Sequence, residues 1–191
     1  MYHTISERHI TPAKIYEIVA SGKALRLSVQ AVERIHKCRE YLDKKAVGGT
    51  PIYGVTTGFG SLCNVSIDRK DLSTLQRNLI MSHACGTGER VPSEIVKLMM
   101  LLKVQSLAYG HSGVQAATVQ RLIDMYNHDI IPVIYQQGSL GASGDLAPLA
   151  HMSLPLIGMG EVEYMGRVVD AGEVMHKLSL IHISEPTRRS Y

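Results

Sequence analysis

Along most of the chain, apolar residues recur at three- and four-residue intervals, and glycine, serine or proline breaks the pattern at each end. That rhythm predicts helices. Residues 2–5 read as a short strand, and Thr11-Pro12 reads as an N-cap with proline in the first turn of a helix reaching about residue 20 and ending near Gly22. Ser28 caps a longer helix to about residue 45, with Val29, Val32, Ile35 and Leu42 as its apolar stripe and Gly48-Gly49 as its stop. A third helix begins around Asp71 and runs to about residue 84, with Leu72, Leu75, Leu79 and His83 in step. Ser93 caps a fourth, from 94 to about 108, whose Ile95, Leu98, Met99, Leu102 and Leu107 point inward as bundle core. Gly110-His-Ser-Gly113 breaks the chain before a fifth helix at about 115–127, with Val119, Leu122, Ile123 and Tyr126 inward. Residues 130–134 form an extended link. Asp145 caps a sixth helix with Leu146, Leu149, Ala150 and Leu154 inward, which Pro155 kinks or ends. Residues 161–169, turning at Met165-Gly166, read as a small hairpin, and Asp170 with Glu173 makes a capping box for a last helix. The fold class expected is mainly α, helical with a few short strands and a small hairpin near residues 161–169.

The stretch from 138 to 159, GSLGASGDLAPLAHMSLPLIGM, departs from ordinary loop composition. Ser143 at its centre admits three readings. A turn or N-cap serine is the bland one. A hydrolase nucleophile elbow needs G-x-S-x-G, and here Gly141-Ala-Ser-Gly is followed by Asp145, so that pattern fails. The third reading uses Ala142, Ser143 and Gly144 together. In a tight loop, the nitrogen of Gly144 can attack the carbonyl carbon of Ala142 and close a five-membered ring. Loss of the serine hydroxyl as water then leaves an exocyclic methylene, an electrophile that no standard side chain provides. Glycine suits the attacking position because it reaches strained backbone cheaply.

Composition narrows the classes. The chain has 191 residues, 45% of them hydrophobic, enough for a packed core. A formal charge of +3 with no basic run interleaved with aromatics gives no nucleic-acid surface. Cys38, Cys63 and Cys85 are odd in number and widely spaced, which favours a reducing, cytoplasmic setting over a disulfide framework or a zinc site. No apolar run reaches membrane-spanning length, and the N-terminus carries no signal-peptide pattern. The glycine pairs at 58/60, 86/88 and 158/160 each lack the third glycine of G-x-G-x-x-G, so no nucleotide is expected, and His111 has no second ligand at metal spacing, so no metal is expected either. Thr56-Thr-Gly-Phe-Gly60 instead reads as a mobile loop able to close over a site.

GSLGASGDLAPLAHMS closely resembles the signature of the aromatic amino acid ammonia-lyases, and most nearly that of their histidine-specific members. The resemblance implies the N-terminal part of the aromatic amino acid lyase fold. It also implies that Ala142, Ser143 and Gly144 form a 4-methylidene-imidazol-5-one group (MIO) autocatalytically, with Ser143 supplying the electrophilic carbon. YGVTTGFG resembles the family's mobile inner loop, which makes Tyr53 the acid/base tyrosine. LQRNLIMSHACGTGE resembles the segment where the family selects its substrate. Ser82-His83 there is the pair of the histidine-specific members, shared by some tyrosine-specific ones, so His83 is the substrate-binding residue. The implied reaction is non-oxidative elimination of ammonia from the small-molecule substrate L-histidine, giving urocanate, by a cytoplasmic homotetramer with no nucleic-acid or membrane partner. The alternatives are a tyrosine or phenylalanine ammonia-lyase, an aminomutase, or a non-catalytic helical module that keeps the loop without closing the ring.

The resemblance covers residues 1–177, about the first third of the family's length. The later Asn-Gly-Thr segment, tyrosine, arginine and glutamate that complete the family's pocket lie beyond it. An isolated chain of this extent is expected to be inactive. From Leu178 the sequence LSLIHISEPTRRSY resembles a translated sequencing adapter, so 178–191 is expected to be a non-native tail.

Overall fold

A computed structural model describes residues 1–47, 51–58, 67, 71–140, 144 and 146–180. The order of elements is β1 (Tyr2–Ile5), α1 (Pro12–Ala20), β2 (Ala24–Leu27), α2 (Val29–Val47), α3 (Leu72–His83), β3 (Thr87–Arg90), α4 (Ser93–Ala108), α5 (Ala116–Asn127), β4 (Ile131–Pro132), β5 (Tyr135–Gln137), α6 (Leu146–Ser153), β6 (Glu161–Tyr164), β7 (Arg167–Asp170) and α7 (Ala171–Lys177). The mainly helical expectation holds, and the predicted starts of several elements are visible atom by atom. Thr11 Oγ1 accepts from Lys14 N–H at 3.2 Å, and Ser28 Oγ accepts from Ala31 N–H at 3.1 Å. Asp170 Oδ1 accepts from Glu173 N–H at 3.0 Å. The hairpin pairs β6 with β7 around Met165 (φ 51°) and Gly166 (φ 71°), both left-handed as a tight two-residue turn requires.

Helix α4 sits at the centre, packed against α5, α2, β1 and β4. Its Val96, Met100, Leu101, Val104, Leu107 and Ala108 are buried together with Val119, Leu122, Ile123 and Tyr126 of α5 and Ala31 and Ile35 of α2. Full burial of side chains of this kind contributes about 1.5–3 kcal/mol each. The phase of α4 differs from the one expected. Ile95 and Leu102 are exposed, because a helix covered on several sides buries a wide arc chosen by its neighbours rather than a single stripe. Ser93 is also not the cap: Pro92 occupies that position, and the Ser93 hydroxyl, already inside the first turn, donates to the Glu163 carboxylate of β6 at 2.5 Å in a charge-assisted bond. Val29 and Leu146, each the outermost residue of its helix start, are exposed as well.

Three pairings were not foreseen, the last of them β4 antiparallel to β6, with Ile131 opposite Glu163. β2 lies parallel to β1, Tyr2 opposite Ala24 through Ile5 opposite Leu27. β3 runs antiparallel to β5, with Thr87 opposite Gln137 and Arg90 opposite Tyr135. The second pairing sets the chain that leaves α3 beside the chain that enters the glycine-rich loop at 138–145. At the other end of that loop, α6 packs on α3 and passes through a 3₁₀ turn, Leu154–Ile157, containing the buried Pro155. Leu178 and Leu180, the first residues of the expected tail, pack partly buried against the core, while 181–191 lie outside the described residues.

Candidate active site

His83 ends α3, half-buried, and its Nδ1 lies 2.8 Å from the Leu79 carbonyl oxygen. A carbonyl only accepts, so Nδ1 is the donor, and in the neutral tautomer this selects, Nε2 is the acceptor. The Ser82 hydroxyl donates to the same carbonyl at 2.9 Å and stands 3.1 Å from the ring. A carbonyl oxygen keeps a second lone pair beyond the one its own helix uses, and on Leu79 two neighbouring side chains fold back onto it and hold the imidazole's orientation.

Past His83, the chain becomes part of the loop's foundation. Gly86 N–H donates to Nε2 of His151 on α6 at 2.9 Å. Gly138, φ +133°, lies so close to this point that a Cβ on it would stand 2.7 Å from Gly86 Cα. The Cys85 thiol points to the Gly138 carbonyl at 3.8 Å. His151 is buried, with Tyr135 edge-on at 5.4 Å, and burial pulls its pKa below the ordinary value. A buried histidine that accepts a backbone N–H is neutral by construction. Its position could be found in the sequence as a polar residue on the inward face of α6, one turn after Ala147, but nothing local names its partner.

Of the three residues expected to form the prosthetic group, Ala142 and Ser143 lie outside the described residues, as does Asp145. Gly144 is exposed with φ +67° and open space where a Cβ would be. That left-handed backbone costs glycine little. The small residues and this conformation fit a backbone ring closed through the Gly144 nitrogen. Tyr53 stands on a separate turn between α2 and α3. Val55 and Thr56 N–H both donate to the Ile52 carbonyl, and Ile52 N–H donates to Thr56 Oγ1 at 2.8 Å. The turn presents Tyr53 at 63% exposure. Phe59 and Gly60 of the expected inner loop, and Cys63 beyond it, lie outside the described residues. The pairing of β3 with β5 and the packing of α3 on α6 thus bring together the His83 segment and both stems of the 139–145 loop, while Tyr53 stands on its own turn.

Elsewhere, a shallow cleft lined by Ser93, Lys97, Asp129, Glu163 and Met165 shares no residue with this cluster. Within it Lys97 pairs with Asp129, and the Ser93 hydroxyl donates to Glu163. Among the described residues no three His, Cys, Asp or Glu side chains are placed to hold a metal ion, and no helix is long and apolar enough to cross a membrane.

The sequence pattern of the aromatic amino acid lyase family matches residues 10–185, and the chain belongs to that family. It is 49% identical over 176 residues to the histidine ammonia-lyase of Deinococcus radiodurans, covering 92% of this chain and 34% of that protein. Histidine ammonia-lyase of Clostridium tetani is 43% identical over 90% of this chain and 33% of its own length. Among solved structures, histidine ammonia-lyase from Trypanosoma cruzi superposes with a TM-score of 0.83 at 33% identity, over 98% of this chain and 35% of that one. An ergothionase from Treponema denticola, an ergothioneine-degrading enzyme, superposes at 0.89 with 28% identity, over 94% and 36%. The chain spans about a third of the length of the curated relatives it matches.

Proposed function

We propose that this chain, at the full length of its relatives, eliminates ammonia from L-histidine to give urocanate, working as a cytoplasmic homotetramer. The observation that carries the reading is the 49% identity to a histidine ammonia-lyase across nearly the whole chain, with Ser82-His83 at the end of α3. In the reaction the Cα–N bond breaks with its electron pair leaving on nitrogen, and a proton leaves Cβ while the electron pair of that Cβ–H bond becomes the second bond of the alkene. The MIO group formed from Ala142, Ser143 and Gly144 would supply an electrophilic methylene carbon that draws electron density from the substrate. Tyr53 would carry the proton in and out, a role suited to a phenol on an exposed turn. The Nε2 of His83, left as an acceptor by the Leu79 carbonyl, would take the N–H of an imidazole side chain. Residues 178–191 are, on this reading, a non-native tail without a catalytic part.

A phenol hydroxyl could also donate to that nitrogen, so tyrosine is the second substrate to weigh. Assays of a full-length protein with L-histidine, L-tyrosine and L-phenylalanine decide between them. Histidine is expected to give by far the highest kcat/KM. A higher value for tyrosine, or release of a β-amino acid in place of ammonia, would replace the reading with a tyrosine lyase or an aminomutase.

A further inference from the structure

Three segments meet at Gly86, and only one of them belongs to the expected pocket. Gly138 is the last residue before the loop that carries Ala142–Gly144, and Gly86 Cα leaves no room there for a side chain. His151, on the helix that follows the loop, accepts the Gly86 N–H. A Cβ on Gly86 would stand 2.9 Å from that same Nε2 and 3.2 Å from the Gln137 carbonyl, so Gly86 is closed in by both stems. Gly86 itself follows three residues after His83. We propose that His151 is a positioning residue, which by accepting the Gly86 N–H clamps the outgoing stem of the 139–145 loop to the same glycine that Gly138 packs on, and so sets the loop relative to His83.

The proposal rests on the reading of Ala142–Gly144 given under Proposed function and adds to it a reason for a buried histidine whose ring nitrogen is given to a backbone amide. A loop that must hold its backbone in a costly conformation keeps it only where the surroundings over-determine it. Reacting atoms must also be held within about half an ångström of their productive positions, which loops achieve only with support behind them. Apolar packing alone would bury α6 without fixing its rotation about its own axis. One directional bond from a backbone amide to a ring nitrogen fixes it. Tyr135, edge-on to the ring, restricts the imidazole from the β5 side.

The clamp can be read in the 191-residue chain without any activity. Ring ¹⁵N shifts of His151 should report Nε2 as an unprotonated, hydrogen-bonded acceptor, and the Gly86 amide should exchange slowly. In His151→Leu that amide should exchange at least about tenfold faster, and in His151→Gln, whose carbonyl oxygen can take the place of Nε2, protection should return. The positioning role is then read in the full-length protein by intact mass. His151→Leu should form a smaller fraction of the species lacking two waters, and His151→Gln should restore it, at matched thermal stability. Should His151→Leu fail to fold, the ring shifts and the His151→Gln protein carry the test. A protonated Nε2, or a Gly86 amide indifferent to His151→Leu, overturns the clamp. Wild-type extents of dehydration and kcat in His151→Leu overturn its positioning role. A wild-type full-length protein that loses no water overturns the reading of the loop together with that role, and the Gly86 exchange keeps this result distinct from failure of the clamp itself.

Discussion

At the scale of single residues, two imidazoles on neighbouring elements are held in opposite senses. His83 donates from Nδ1 to the Leu79 carbonyl, which turns Nε2 into the acceptor proposed to meet a substrate, whereas His151 spends Nε2 on Gly86. His83→Leu removes that acceptor, and in a full-length protein kcat/KM for L-histidine should fall about 10²-fold or more, since a polar substrate group is left unpaired. An unchanged value would remove His83 from the pocket. Tyr53→Phe should lower kcat by about 10²–10⁴ with little change in KM, the signature of a lost proton carrier. A change confined to KM would make Tyr53 a binding residue only. His151 links protonation to stability. Burial lowers its folded pKa, so the unfolded chain binds the proton more readily. Its contribution is therefore fully present above the unfolded value of about 6.5 and is lost as pH falls through the lowered folded one. His3 is shifted the same way, by burial and then by Lys14 and Lys23. Thermal melts of wild type against His151→Gln separate the two: the variant should lose less stability on acidification, and equal losses would mean that His151 is not held neutral.

At the scale of elements, what the sequence makes legible is what neighbours in the chain decide. Thr11, Ser28 and Asp170 satisfy orphan amides of their own helices, and Met165-Gly166 turns its own hairpin, so each could be read from local spacing. Ser93 could not, because its hydroxyl goes to Glu163, seventy residues away. The burial phase of α4 was misread for the same reason, since α5, α2 and β1 choose which of its residues are inside. Asn127 is the sharpest case. It reads as the end of α5, yet its side chain accepts from Leu25 N–H at 2.7 Å and donates to the Leu25 carbonyl at 2.9 Å, docking β2 like an additional strand residue. Asn127→Ala leaves both backbone groups of Leu25 without those partners and should cost about 1–3 kcal/mol in denaturant unfolding. A loss within about 0.5 kcal/mol would mean that water serves them equally well.

At the scale of the whole molecule, the β3–β5 pairing and the packing of α6 on α3 bring the His83 segment beside both stems of the 139–145 loop, while α4 forms the centre of the helical core. The identity of the loop could be read directly, because the Ala142-Ser143-Gly144 run and its flanks carry the family signature by themselves. Its footing on Gly86 could not, because that depends on the β3–β5 pairing and on a hydrogen bond across 65 residues. Apolar side chains flank the loop and remain exposed: Leu140 before it, Leu146 after it and Met81 on α3. The central claim is that three small residues make an electrophile from the backbone itself. Intact mass of the protein at its relatives' full length, set against the mass calculated from its sequence, tests this most directly. The account predicts a deficit of two waters, one from closing the ring through the Gly144 nitrogen and one from the Ser143 side chain. An unmodified mass in a preparation that still releases ammonia from L-histidine would contradict it.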